Sequence, residues 1–384
     1  LPILRQYFEI KENYMEYILF YRLGDFYEMF FDDAIRASRE LEITLTARNC
    51  GLEEKAPLCG VPYHAVEGYI KKLVEKGIKI AICEQMEDPA LAKGLVKREV
   101  VRIITPGTVT DPEMLDEGRN NYMSSLHIDE TGFALAYCDI TTGVLKTSPF
   151  TNMDKVIDEL MKLEPSELIL SDKIKLTPAA IKAIEDIGIT LTPFYEHAFT
   201  AVTGKKIVER ILNVFSVESL GFGDHDLTLC ATDALLAYVE ETAKVPLNHF
   251  SKIEIYHQNT FMMLDKFTRR NLELVETMRS KEKKGSLLWV LDKTCTAMGA
   301  RKLKAWVEEP LLSIEEIQKR QNTVEVLVED LLLRSDLRTH LKHIYDLERL
   351  TSKLVYGSIN PRDLIALKQS LLVLPEIRAC IEDL

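Results

Sequence analysis

Residues 22–31 read Arg-Leu-Gly-Asp-Phe-Tyr-Glu-Met-Phe-Phe, and the Gly24-Asp25 pair inside this stretch decides how the first part of the chain folds. Before the pair stands Ile18–Leu23, a short apolar and aromatic run, and after it Phe26–Phe30. Two β-prone runs split by Gly-Asp predict a tight hairpin, because glycine supplies the positive φ such turns demand. Side chains alternate across a strand, so Phe26 and Glu28 share one face. On periodicity alone Phe26 is core and Glu28 is rim. Asp32 or Asp33 is then placed to cap a helix through Leu41.

Outward from the hairpin, the pattern predicts a helix over 66–76 ending at Gly77, a buried strand over 78–83 and another over 100–104. Thr105-Pro106-Gly107-Thr108 and the acids from Asp111 to Asp116 carry no periodicity and read as a linker over 109–121. A second α/β unit begins near Tyr122. Strands over 125–129, 133–140 and 143–147 are separated by Glu130-Thr131-Gly132 and Thr141-Thr142-Gly143 as hairpin turns. Helices over 153–163 and 178–187 flank a strand at 168–170, and a longer helix runs over 226–244. From about residue 259 the strands stop and helical spacing takes over, at Leu264, Phe267, Leu274, Val275 and Met278. Ser313-Ile314-Glu315-Glu316 reads as a capping box, and Asn360-Pro361 as a further helix start.

The length of 384 residues suggests two or three domains. No apolar run nears the roughly 18 residues of a membrane span, and the start lacks the pattern of a signal peptide, which sets membrane and secreted classes aside. Seven scattered cysteines with no Cys-x-x-Cys read as free thiols of a reducing cytosol, not as a disulfide framework or zinc site. The net charge of −12 argues against a protein that coats nucleic acid nonspecifically. Locally the balance reverses: residues 71–102 hold eight basic side chains against five acidic, and residues 266–304 eleven against four.

Catalytic signals are sparse. The nearest approach to a phosphate-binding loop, Thr203-Gly204-Lys205-Lys206, has Phe199 where the first glycine belongs and Lys206 where the hydroxyl belongs. Gly223-Asp224-His225-Asp226 resembles a metal loop but reads rather as a helix cap, and His340 with His343 as a polar helix face and not a zinc site. Asp129, Glu130 and Asp139 lie on or beside adjacent hairpin strands, as in nucleases that gather carboxylates around Mg²⁺. Turn chemistry also accounts for them, Glu130 before Thr-Gly and Asp139 opening Asp-Ile-Thr-Thr-Gly.

Several blocks in order make the chain recognisable: GDFYEMFFDDA at 24–34, LEITLTAR at 41–48, GVPYHAV at 60–66, AICEQMEDP at 81–89 and REVVRIITPGT at 98–108. TRRNLEL at 268–274, GSLLWVLDKT at 285–294 and DLERL at 346–350 continue them. With these the chain resembles the N-terminal part of the bacterial MutS family of mismatch-recognition proteins, over nearly its whole length. The resemblance implies a multidomain protein, α/β and then all-α. It assigns a mixed α/β mismatch-recognition domain to 1–108, a linker to 109–121, a ribonuclease-H-like connector to 122–248 and the first part of a helical core with lever helices to 249–384. It implies no catalytic domain, metal or cofactor in this chain. ATP and Mg²⁺ belong to a P-loop ATPase domain of the family that is missing here, as is the clamp. Implied partners are double-stranded DNA with mismatches or small loops, MutL, and a second copy in a homodimer, in the bacterial cytoplasm at the nucleoid.

Carried onto matching positions, Phe26 is the family's intercalating wedge and Glu28 its base-contacting acid. Arg48 and Arg98 match basic positions of the pattern, and Lys97 joins them by adjacency as a phosphate contact; Gln85 is placed near the DNA. Two rival readings are a metal-dependent nuclease on the second α/β unit and a protein-interaction scaffold with no DNA role.

Overall fold

A computed structural model of the chain describes residues 2–49, 55–87, 94–223, 226–244, 247–257 and 261–382, without the side chains at 202–204 and 266. Cys50, Lys93, the Asp224-His225 pair and Leu384 therefore lie outside the described residues, and at Thr203-Gly204 the backbone alone is described. Two units emerge, one of residues 1–109 with 238–245, the other of 110–237 with 246–384.

The first unit runs α1 (Pro2–Lys11), β1 (Ile18–Leu23), β2 (Phe26–Phe30), α2 (Phe31–Leu41), β3 (Thr46–Arg48), β4 (Ala56–Pro62), α3 (Val66–Val74), β5 (Ile80–Gln85) and β6 (Arg98–Ile104). The strands form one sheet in the order β3-β4-β2-β1-β5-β6, with β1 and β5 parallel and the other neighbours antiparallel. Gly24 takes φ +57° in the two-residue turn between β1 and β2, which pairs Leu23 with Phe26. Ile18 to Tyr21 are at most 1% exposed, because β1 is central and both its faces are covered.

On one face, Leu4 and Tyr7 of α1 pack against Leu19, Tyr21, Phe30, Ala81 and Cys83. The Tyr7 ring meets Phe30 edge-on at 5.0 Å and Tyr21 at 5.6 Å. Burying a side chain such as Phe30 contributes about 2–3 kcal/mol.

The start of α2 differs from the sequence reading. Its N-cap is Phe30 with no side-chain bond. Asp33 is instead buried, accepting from the Tyr7 hydroxyl at 3.1 Å and the Leu19 amide at 3.0 Å, and it pairs with Lys11 at 2.8 Å. Donors from α1 and β1 outcompete the local cap. The chain turns out of β2 through Phe31 at φ +51°, a left-handed conformation costing about 1 kcal/mol or more. The helix α1 and the strands β3 and β4 went unread in the sequence.

The second unit opens with β7 (Met123–Ile128), β8 (Phe133–Asp139), β9 (Val144–Phe150), α4 (Met153–Leu163), β10 (Glu167–Ser171), α5 (Pro178–Glu185) and β11 (Thr190–Phe194). After α6 (Ala201–Leu212) and α7 (Leu227–Ala243), whose last residues from Tyr238 group with the first unit, β12 (Glu254–Ile255) closes the sheet. The order is β11-β10-β7-β8-β9-β12. A three-stranded antiparallel meander with two further strands parallel to its first is the ribonuclease-H-like arrangement.

Helices follow: α8 (Lys266–Asn271), α9 (Leu287–Leu291), α10 (Ala297–Glu308), α11 (Ile314–Glu329), α12 (Leu331–Leu341), α13 (Leu347–Val355) and α14 (Pro361–Ile381). At α11 only half the capping box forms, with the Glu316 amide donating to Ser313 Oγ at 3.4 Å. The complete two-way box sits at α14, between Asn360 and Asp363.

Residues 116–119 fall in the stretch read as a linker, but they are held. Arg301 donates to the Glu117 carbonyl at 3.0 Å, and Arg349 to the carbonyls of Asp116 and Arg119 at 2.9 and 2.8 Å. Arg301 is itself gripped by Asp346 at 2.7 and 2.8 Å and Glu348 at 2.7 Å.

Candidate nucleic-acid interface

The topology of the first unit gathers several strand ends at one end of its sheet. The β1–β2 turn, the start of β2, the end of β4 at Pro62, the end of β5 at Gln85 and the start of β6 at Arg98 all lie there. Exposed apolar side chains mark this end: Phe26 at 47%, Tyr63 at 45% and Met86 at 49%. Large apolar side chains grouped at one exposed end are a mark of a contact surface. The periodicity reading of Phe26 as core is corrected here. Its face is core only as far as Phe30, and Phe26 is the strand's outermost member.

Glu28, two residues in, is half-buried. Gly60 stands opposite it on β4, and a Cβ there would come 3.6 Å from Glu28 Cγ and 3.3 Å from the Tyr27 carbonyl oxygen. A bare position thus leaves room for the carboxylate to lie across the strand. Burial pushes the Glu28 carboxyl above the ordinary carboxylate range, and the charge of Arg48 opposes the rise. Arg48 Nη1 is 3.5 Å from Glu28 Oε2, reaching over from β3.

On the other side of β2, the Tyr27 hydroxyl donates to Glu84 of β5. Arg22 stacks over the Tyr63 ring at 3.9 Å and donates to the Gly24 carbonyl at 2.5 Å. The Tyr63 amide donates to the Asp25 carbonyl at 3.0 Å, so this stack braces both sides of the turn. Sequence reasoning assigned neither Arg22 nor Tyr63. The signal available was the GVPYHAV block, which contains Tyr63.

Arg98 departs from its expected place. It is 6% exposed, donating to the Arg22 carbonyl at 2.8 Å, to Gln6 Oε1 at 3.1 Å and to the Val96 carbonyl at 3.0 Å, with its guanidinium over the Tyr21 ring. A guanidinium engaged inside the fold has no donor fork to offer a phosphate, so Arg98 is a brace at the hairpin base. Its neighbour Lys97 is exposed and pairs with Glu99 at 2.6 Å, while its amide donates to Glu87. Gln85 is partly buried opposite Arg98 of β6, and its own strand β5 lies two strand spacings, roughly 10 Å, from β2.

The acidic residues of the second unit do not converge. The β7–β8 register pairs Met123 with Cys138 and Ile128 with Phe133, which puts Asp129 and Asp139 at opposite ends of the hairpin, roughly 20 Å apart. Asp139 is fully buried and accepts from the Thr141 amide and hydroxyl at 2.8 and 2.7 Å; Asp129 is spent on Thr131 and Gly132. Turn chemistry, not ion binding, is what holds them. Among the described residues no three His, Cys, Asp or Glu side chains are grouped to hold a metal ion. Asp226 caps α7 through Thr228, and His340 pairs with Glu376 at 3.0 Å.

Part of the basic stretch over 266–304 is charge-paired. Arg269, Lys283, Arg301 and Lys304 pair with Glu308, Asp292, Asp346 and Glu164 respectively. Six described cysteines are free, four of them buried, and no helix of the described residues is long and apolar enough to cross a membrane.

Comparison with known proteins adds sequence relationships to this geometry. Family models described as MutS domain I, MutS domain II and MutS domain III match residues 1–113, 121–251 and 267–384. The chain is 51% identical, over its whole length, to the DNA mismatch repair protein MutS of Alkaliphilus oremlandii, of which it covers 44%. For the protein of the same description from Ruminiclostridium cellulolyticum the identity is 49% over 99% of the chain, again covering 44% of the relative. The chain thus spans less than half the length of these relatives.

Proposed function

The chain belongs to the MutS family of DNA mismatch repair proteins, and from that premise we propose that its first unit binds double-stranded DNA at mismatched or unpaired bases by inserting Phe26 from the minor groove, with Glu28 contacting the base. The observation that carries this reading is the pairing of an exposed ring with a half-buried acid on one strand face, at the end of the sheet where a duplex has access.

The physics follows from stacking. A ring pushed between base steps unstacks and kinks the duplex at a cost of about a few kcal/mol per step. A mismatched step is already poorly stacked, so the same insertion costs less there. Discrimination then comes mainly from deformability. A carboxylate beside phosphates is repelled. Glu28 must either accept from an imino N–H while ionised or be protonated to face a purine N7, and burial favours the second. Arg48 and Lys97 are the phosphate contacts of this reading, with Gln85 beside them; Arg98 acts through the hairpin and not on the DNA.

In the same reading residues 1–108 are the recognition domain, 109–121 a linker, 122–248 a connector and 249–384 the first part of the helical core. ATP hydrolysis with Mg²⁺, pairing with a second copy and recruitment of MutL belong to the longer protein, in the bacterial cytoplasm at the nucleoid. Nothing in this sequence matches a P-loop.

The test is salt-titrated binding of a duplex with one G·T mismatch against its matched twin, for the chain and for Phe26→Ala. The expected result is a preference for the mismatch that disappears in the variant. A preference untouched by Phe26→Ala overturns the wedge. Absence of duplex binding even at low salt favours a scaffold.

A further inference from the structure

The β1–β2 turn carries Phe26 on a projection that packs against little. Gly24, Asp25 and Phe26 are all exposed, and a Cβ at Gly24 would meet no atom of the described residues within 4 Å. Glycine at positive φ with open space around it does nothing to hold a turn in one orientation. An intercalating ring, however, must be held against the stack it opens. A ring that is ordered only on contact loses affinity to that ordering.

What steadies the turn lies on the face of the sheet away from Glu28. Arg22 and Tyr27 stand opposite each other there, across β1 and β2. The Arg22 guanidinium lies over two rings, 3.9 Å from the centroid of Tyr63 and 5.4 Å from that of Tyr27. Tyr27 is anchored in turn by its hydroxyl, which donates to Glu84. From this seat Arg22 Nε donates to the Gly24 carbonyl at 2.5 Å, while the Arg22 carbonyl accepts from Arg98 Nε at 2.8 Å. Tyr63 closes the frame from the end of β4. Its amide donates to the Asp25 carbonyl at 3.0 Å, and its ring stands edge-on to His64 at 6.0 Å. Both central residues of the turn thus have their carbonyls held by the two members of one cation–π pair.

We propose that the Arg22–Tyr63 stack is the rigid backing of the wedge: it fixes the turn from behind, so that Phe26 meets the duplex in one orientation. Arg22 and Tyr63 are then positioning residues for mismatch reading, acting through Phe26. The inference rests on the reading that Phe26 inserts. Without the stack the turn visits several orientations, and affinity for the mismatch falls with the fraction of the ensemble that still presents the ring. Matched binding draws less on the inserted ring and falls less.

The experiment uses the full chain with Tyr63→Ala, Tyr63→Phe, Arg22→Gln and Phe26→Ala. First, backbone order parameters of Gly24, Asp25 and Phe26 are measured by nitrogen-15 relaxation in the DNA-free protein. Values of about 0.85 are expected in the parent and Tyr63→Phe, and below about 0.6 in Tyr63→Ala and Arg22→Gln, with the amides of β1 and β5 unchanged. Second, affinities for the G·T and matched duplexes are followed across salt. Tyr63→Ala and Arg22→Gln are expected to lower the ratio of mismatched to matched affinity about fivefold, the size of one partly exposed cation–π contact. Their salt slopes should stay at the parent value, and Tyr63→Phe, which keeps the ring, should keep the parent ratio. A slope flattened by about one unit in Arg22→Gln makes that residue a phosphate contact and overturns its positioning role. Parent-like order at the turn in Tyr63→Ala overturns the backing, and so does a ratio lost only where the amides of β1 and β5 are disturbed as well. If Phe26→Ala removes the preference while Tyr63→Ala and Arg22→Gln retain it, the backing fails and the wedge stands. If the parent shows no preference, or Phe26→Ala leaves it untouched, the wedge fails and the backing with it.

Discussion

Replacing Arg301 with leucine tests what fixes residues 116–119 to the helices of the second unit. The guanidinium makes four hydrogen bonds, two to Asp346, one to Glu348 and one to the Glu117 carbonyl, and its side chain is 6% exposed. Burial works to raise the pKa of Asp346, but the hydrogen bonds and charge of Arg301 outweigh it and hold the carboxyl below its ordinary range. Truncating one member of a buried pair costs about 3–5 kcal/mol, because the other charge is left without compensation. Glu348 is 46% exposed and can return to water, whereas Asp346 at 18% cannot, so a loss near the lower end, about 3 kcal/mol, is expected. Lysine should not rescue, since a point charge cannot hold both carboxylate oxygens.

A double variant Arg301→Leu, Asp346→Leu should recover part of the loss. It cannot recover all, because Asp346 also caps α13 through the Arg349 amide, worth about 1 kcal/mol. The assay is urea unfolding followed by tryptophan fluorescence. The chain has two tryptophans, Trp289 and Trp306, and both lie in the second unit, so the signal reports that unit alone. A loss below about 1 kcal/mol in Arg301→Leu, or a double variant no more stable than the single, would refute the reasoning.

Burial lowers the pKa of His249 to about 4, so the folded chain resists a proton that the unfolded chain accepts from about pH 6.5 downward. Its contribution is therefore intact above about pH 6.5 and is lost as pH falls through about 4, by about 3 kcal/mol, and His249→Gln should flatten this slope in urea unfolding across that window. Arg98→Gln is expected to lower the melting temperature of the first unit while leaving the salt slope of DNA binding unchanged. Lys97→Gln should do the reverse, flattening that slope by about one unit with little effect on melting.

The sequence was most readable where structure is decided locally. Gly24-Asp25 forces its turn with a positive φ, and Asn360-Pro361 starts α14, because each signal and its partner lie within a few residues. Asp139 was readable as turn chemistry for the same reason. β3 is three exposed residues long, too short to show a period, and α1 is recognisable as part of a core only once Tyr7 meets Phe30. The misplacement of Arg98 has a similar cause. Its partners are Gln6, Arg22 and Val96, from three separate parts of the chain, and an arginine's burial depends on such partners and not on its neighbours in sequence. Asp33 shows the same competition, with two capping acids in sequence and a tertiary set of donors that claims one of them.

Charge sets the terms on which such a surface could read DNA. The first 109 residues carry 15 basic and 17 acidic side chains, a net of −2, so this segment brings no general attraction for a polyanion. With Arg98 turned inward, the proposed phosphate contacts reduce to Arg48 and Lys97, which predicts a log–log salt slope near −2. Weak background affinity is an advantage to a protein that must find rare sites among many, because discrimination is a ratio. In the proposed reading, insertion of Phe26 acts on stacking and not on counterions, so raising salt should weaken mismatched and matched binding in parallel and leave their ratio standing. A ratio that collapses with salt would mean that the phosphate contacts, and not the wedge, carry the discrimination.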